Sequence, residues 1–182
     1  MKTEENDQRW FRKYDEIPLY NRHQIINTLR WFLDYAGYKL VPEKPIGFMK
    51  PDIRAVRKNN KIKDEIIFVV REGVNDAVEG FRELAAAKCF RQNTIDYVLA
   101  LPPVSEHYLI EFLIDKEEWF FPVKDHLFQL WLVNPEKEKV DCLIGWPRNE
   151  EFKHYFSNPN MVGFSGFIAN KATKRLISDE FE

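Results

Sequence analysis

The sequence contains no long hydrophobic run, and none of its segments approaches the roughly 20 consecutive apolar residues that a helix needs to cross a bilayer. Its first residues, Met1 to Asp7, are polar and acidic, so the basic start and apolar middle of a signal peptide are missing as well. We therefore expect a protein that has no membrane partner and works in the cytoplasm.

Signatures of metal and nucleotide binding are also scarce. The two cysteines, Cys89 and Cys142, and the four histidines do not have the spacing of zinc ligands. No glycine-rich phosphate-binding loop occurs among the seven glycines. Zinc chemistry and nucleotide binding through such a loop therefore have no support, and we expect both cysteines to be reduced and buried.

The composition is that of an ordinary folded protein. Hydrophobic residues make up 45% of the chain, charged residues 31%, and the formal net charge is −2. A chain of 182 residues is long enough for one domain with a full hydrophobic core. We expect a single domain over 1–182, consisting of an irregular lead-in (1–20), a core (21–101) and an extension (102–182).

Hydrophobic periodicity predicts an α/β domain with a mixed central sheet. Asn21 and Gln24 have the spacing of a capping box, and Gly37 stands where a helix commonly ends. The continuous β-branched run at 65–70 is typical of a central strand that is covered on both faces. The predicted order is helix 21–36, strands 38–41, 52–58 and 65–70, helix 75–91 and strand 95–101, followed by helix 105–113, strands 129–133 and 140–146, and a short helix at 150–156.

Charge is unevenly distributed along the chain. Residues 44–63 carry seven basic residues against the single acid Asp52, whereas 102–153 carry eleven acids against six bases. A basic segment of this kind predicts contact with nucleic-acid phosphates, although a solvated hairpin without a partner is the plainer alternative. The candidate nucleic-acid-binding residues are Lys50, Arg54, Arg57, Lys58, Lys61 and Lys63.

The α-β-β-β-α-β order, with Pro51-Asp52 opening the second strand, resembles the PD-(D/E)XK nuclease superfamily. The resemblance implies a restriction-endonuclease-like core at 21–101. Members carry Pro-Asp on the second strand and acid-x-Lys on the third. The two acids hold a divalent metal, and the Lys helps to position and activate water against a phosphodiester.

The third strand departs from that pattern, since Val69-Val70-Arg71 stands where the family has acid-x-Lys. Val69 supplies no oxygen, whereas Mg²⁺ requires hard oxygen ligands. Arg71 keeps the positive charge, but it stays protonated and cannot act as a general base. Glu72 is expected to point to the opposite face of the strand from Val69 and Arg71.

Some members of the superfamily carry the second acid on the following helix, where this chain has Asp76, Glu79 and Glu83. The resemblance then implies Asp52 and Glu83, or Glu79, as ligands of Mg²⁺ or Mn²⁺, with Arg71 on the scissile phosphate. The alternative is that these acids only complement the helix dipole.

The leading interpretation is a nucleic-acid-associated nuclease-fold domain, with phosphodiesterase activity at an atypical site if any activity is retained. One alternative is a non-catalytic binding or assembly module of the same fold. The other is a protein-interaction domain that uses the aromatic-rich, acidic second half to bind a protein partner or a second copy of the chain.

Overall fold

The computed structural model describes residues 20–59, 62–73, 76–90, 95–103, 128–145 and 154–156, leaving aside the side chains of residues 59, 62, 63, 89, 90 and 128. Its elements are helix α1 (Arg22–Tyr35), strands β1 (Lys39–Leu40), β2 (Ile53–Asn59) and β3 (Ile62–Val70), helix α2 (Ala77–Phe90), and strands β4 (Ile95–Leu101), β5 (Phe128–Asn134) and β6 (Lys139–Ile144).

Within these ranges the six strands form one mixed sheet in the order β1-β2-β3-β4-β5-β6. The neighbours of β3 are β2, which is antiparallel, and β4, which is parallel. Strand β5 is parallel to β4, and β6 returns antiparallel to β5. The predicted α/β class and mixed sheet are confirmed.

The first helix forms where the sequence predicts it because its ends are locally encoded. The Asn21 side chain accepts a hydrogen bond from the backbone N–H of Gln24, and the Gln24 side chain accepts one from the N–H of Asn21. At the other end Gly37 has φ +82°, a left-handed conformation that glycine adopts without strain. Between the caps, the buried stripe that packs on the sheet consists of Ile25, Leu29, Phe32 and Leu33.

Strand β3 lies inside the sheet, and both of its faces are buried, as predicted. Ile67 and Val69 pack in the core shared with α2. Phe68 and Val70 point to the other face, into the core shared with α1. Strand β3 therefore carries one hydrophobic layer on each side, because successive side chains of a strand alternate between faces.

Some boundaries differ from the predicted ones. Strand β3 begins at Ile62, three residues earlier than predicted, and Asp52 directly precedes β2 instead of opening it. The predicted helix at 105–113 lies outside the described residues, and of the predicted short helix at 150–156 only a helical turn at His154 and Tyr155 is described. None of the helices in the described ranges is long and apolar enough to cross a membrane.

Cys142 is a buried free thiol on β6. Burial raises the pKa of this thiol above its usual value, and the negative charge of Asp96 adds to the rise. The expectation of a buried reduced thiol is confirmed for Cys142, while the side chain of Cys89 lies outside the described part of the chain.

Candidate functional site

Asp52 is held in place by the edge of the β2–β3 pair. Its backbone N–H donates to the carbonyl of Phe68 at 2.8 Å. Its carboxylate accepts a hydrogen bond from the backbone N–H of Val70, with 2.6 Å between N and Oδ2. Only 6% of the side chain is exposed. The sheet itself therefore sets the orientation of this carboxylate.

Arg71 follows the last residue of β3 and connects the sheet to α2. Its backbone N–H donates to the carbonyl of Ala100 at 3.0 Å, which extends the pairing with β4 by one residue. In its guanidinium, Nη1 lies 3.7 Å from Oδ2 of Asp52, and Nη2 lies 2.5 Å from Oε1 of Glu83. The structure thus brings together Asp52, Arg71 and Glu83, which the resemblance had proposed as a site.

Val69 occupies the position beside Asp52. Ile53 pairs with Phe68, and the antiparallel register continued by one residue places Asp52 across from Val69. Val69 is fully buried in the core under α2. An acidic residue at this position would share a face with Asp52, whereas the valine contributes only apolar packing.

These groups line an open cavity of about 430 Å³. Among the described residues of its lining, three side chains are basic and five are acidic, an excess of two negative charges. The basic ones are Arg22, Lys50 and Arg71, and the acidic ones are Asp52, Glu72, Asp76, Glu79 and Glu83. All three helix acids singled out in the sequence therefore face the same space.

Two residues of the cavity were not predicted from the sequence. The guanidinium of Arg22, which is 53% exposed, forms an ion pair with Asp52. Glu72 accepts a hydrogen bond from the backbone N–H of Arg22 at 2.8 Å. The expectation that Glu72 points away fails because β3 ends at Val70, so strand alternation does not extend to Glu72. Arg22 is a basic residue at the start of a helix, and no local sequence feature indicates that such a residue lies at the cavity.

The candidate nucleic-acid-binding residues have different environments. Lys50 is exposed and lines the cavity, and Lys58 is exposed on β2. Arg54 donates from Nε to Oε1 of Glu65 at 2.6 Å, and only 12% of its side chain is exposed. Arg57 is partly buried. The remaining two, Lys61 and the side chain of Lys63, lie outside the described residues.

Carboxylate oxygens of Asp52 and Glu83 both lie within 4 Å of the Arg71 guanidinium, and carboxylate oxygens are the ligand type that Mg²⁺ prefers. Mg²⁺ is usually bound by one or two carboxylates together with substrate phosphates. No cluster of three or more His, Cys, Asp or Glu side chains in the described ranges has the geometry to hold a metal by itself. In the described ranges, Asp52 and Glu83 would therefore need further ligands, such as phosphate oxygens, to hold such an ion.

No protein-family model and no curated protein matches the chain. Solved structures that resemble it include an XisH family protein from Nostoc punctiforme, with a TM-score of 0.43, 13% identity, and coverage of 64% of this chain and 95% of that one. An fdxN element excision controlling factor protein from Anabaena variabilis has a TM-score of 0.42 and 11% identity, covering 65% and 96%. A repair endonuclease from Pyrococcus abyssi has a TM-score of 0.37 and 14% identity, covering 64% of this chain and 48% of that one.

Proposed function

We propose that this chain is a nuclease-fold domain that binds nucleic acid and acts on it as a divalent-metal-dependent phosphodiesterase. The observation that carries the proposal is the convergence of Asp52, Arg71 and Glu83. They come from the residue before β2, the residue after β3 and the middle of α2, and they meet in one open cavity. Two carboxylates can hold a divalent ion, and an arginine between them can bind the oxygens of a phosphodiester.

The charge of the cavity supports the dependence on a divalent ion. Five acids face three bases in the described lining, so a phosphate that enters without a counterion meets net repulsion. A divalent ion bound by Asp52 and Glu83 would offset that excess of two negative charges and would supply a positive centre against the developing phosphate charge. We therefore expect nucleic-acid affinity at this cavity to rise with Mg²⁺ or Mn²⁺.

Each side chain has a separate role in this proposal. Asp52 and Glu83 provide oxygen ligands, and Asp52 is pre-oriented by the N–H of Val70. Arg71 holds phosphate oxygens and stabilises negative charge. It does not accept a proton from water, because a guanidinium stays protonated at neutral pH. Lys50, at the edge of the cavity, adds a contact to a neighbouring phosphate.

The test is a cleavage assay with Mn²⁺ and Mg²⁺ on single- and double-stranded DNA and RNA. We expect metal-dependent cleavage by the parent and a loss of roughly 100-fold or more in Asp52→Asn and Glu83→Gln, the order seen when a charge-stabilising group is removed. Glu79→Gln tests whether Glu79, an exposed acid on the same helix as Glu83, also acts as a metal ligand. Asp34→Asn, which alters an exposed acid on α1, is the matched control.

A second candidate function, the non-catalytic module of the same fold, is favoured by one observation. Arg71 is already paired with both Asp52 and Glu83, beside a valine, Val69, whose side chain supplies no oxygen. This alternative predicts salt-sensitive binding that is indifferent to Mn²⁺ and is never followed by cleavage. A parent protein that binds no nucleic acid under any of these conditions contradicts both candidates.

A further inference from the structure

The tight turn that precedes Lys50 in the chain carries an exposed aromatic ring. Phe48 is 98% exposed, whereas Ile46 and Met49 on either side of the turn are each 3% exposed and belong to the core under α2. The backbone groups of Ile46 and Met49 bond reciprocally, at 2.7 Å and 3.1 Å. Gly47 has φ +61°, which completes the turn. The ring is thus presented to solvent from an anchored backbone.

Cations flank this ring on both sides in the chain. Lys44 and Lys50 are exposed, and Lys50 also lines the cavity that contains Asp52 and Arg71. Phe48 is two residues from Lys50 in the chain, so their Cα atoms lie at most about 7 Å apart.

We propose that Phe48 stacks on an unpaired nucleobase of a strand whose phosphate occupies the cavity. The inference rests on the proposed function and adds to it a preference for single-stranded or locally unpaired nucleic acid. An exposed ring beside lysines offers a base an apolar face and offers its backbone a counter-charge. A base inside a duplex is already stacked, so its use would cost unpairing and unstacking energy.

The experiment compares the parent with Phe48→Leu, which keeps an apolar side chain and removes the aromatic face. The readouts are affinity for single-stranded oligonucleotides and quenching of a fluorescent purine analogue that loses emission on stacking. Trp31→Leu is the matched control, because Trp31 is an exposed aromatic on α1 that stacks on Tyr35. Melting temperature and light scattering are measured for all three proteins.

We expect Phe48→Leu to weaken single-strand binding roughly 5- to 100-fold and to abolish quenching, while Trp31→Leu changes neither. The salt dependence of binding should stay the same, because no charge is removed. An abasic strand should bind the parent and Phe48→Leu equally.

Equal affinity and quenching of the parent and Phe48→Leu on intact strands would overturn the stacking proposal and leave the proposed function intact. A change of oligomeric state in Phe48→Leu, measured by light scattering, would also overturn the stacking proposal, because the turn would then be a contact between copies of the chain. A parent that binds no strand, with or without Mn²⁺, removes the proposed function and this inference together.

Discussion

At the scale of single residues, the Asp52 carboxylate interacts with three positively charged or hydrogen-bond-donating groups. Its carboxylate accepts the N–H of Val70 and pairs with Arg22 and, at a longer distance, with Arg71. A carboxylate this buried needs such partners, because a charge away from water is costly unless it is paired and hydrogen-bonded. Asp52 therefore has a structural role whether or not it binds a metal, and substitutions there need a stability measurement alongside any assay.

The position beside Asp52 gives a residue-level prediction about metal affinity. Val69→Glu combined with Arg71→Lys would place a carboxylate across from Asp52 and replace the fixed guanidinium by a more mobile amine. We expect this double variant to bind Mn²⁺ at least about 10-fold more tightly than the parent in a calorimetric titration, because Mn²⁺ and Mg²⁺ favour additional carboxylate oxygens.

Glu83→Gln in both backgrounds is the companion measurement. If Glu83 is a ligand, the substitution lowers Mn²⁺ affinity in the parent and in the double variant. Unchanged affinity in both backgrounds would show that Glu83 serves only as the partner of Arg71. Equal Mn²⁺ affinity of the parent and the double variant would contradict the role assigned to position 69.

At the scale of secondary-structure elements, α2 approaches the sheet closely at Gly80. A Cβ atom at this position would lie 2.7 Å from Cδ1 of Leu99 and 3.4 Å from both Cγ of Arg71 and Cγ1 of Val69. The missing side chain lets the helix pack directly on β3 and β4 beneath the candidate site. The close contact thus connects the packing of α2 to the position of Arg71.

We expect Gly80→Val to lower the free energy of unfolding by about 1–3 kcal/mol, the usual cost of overpacking a filled interior. Urea denaturation gives the value. Ala86→Val on the exposed side of the same helix is the control, and it should cost only about 0.5 kcal/mol through helix propensity. Equal losses of unfolding free energy for the two substitutions would show that the Leu99 side chain moves aside without cost.

At the scale of the whole molecule, exposed lysines that a polyanion could reach occur in the chain around β1 and β2. Lys44, Lys50 and Lys58 are exposed, while Arg54 is neutralised by Glu65. At the opposite edge of the sheet, the β5–β6 turn exposes Lys137. Nucleic acid that follows the cavity would thus contact lysines near β1 and β2.

Replacing Lys44, Lys50 and Lys58 together by Ser should reduce the slope of log affinity against log salt by roughly 2 to 3, since each lost phosphate contact contributes about 0.7 to 0.9. Fluorescence anisotropy at several salt concentrations measures this slope. A triple variant of equal charge change, with Ser at Arg30, Lys137 and Lys139, is the control. Equal slopes for the two triple variants would indicate that the 44–63 segment is merely solvated.

Local sequence determined the elements with strong short-range signals. The helix at 22–35 follows from a cap, a stop and a periodic stripe, and the strand at 95–101 has the predicted bounds. The central strand β3 could also be predicted from its continuous apolar run, because a strand that is buried on both faces does not alternate between polar and apolar residues. The grouping of Asp52, Arg71 and Glu83 was predicted through the family resemblance.

The tertiary structure alone decided which charges meet. Arg22 and Asp52 are thirty residues apart, and their ion pair depends on how α1 packs over the edge of the sheet. The sequence made Arg54 a candidate phosphate contact, but the β2–β3 register places Glu65 beside it and the two side chains form an ion pair. Local signals arise from residues three or four positions apart or from strand alternation, whereas these pairings depend on register and packing over long chain separations. That physical difference explains why the elements could be predicted more fully than the site.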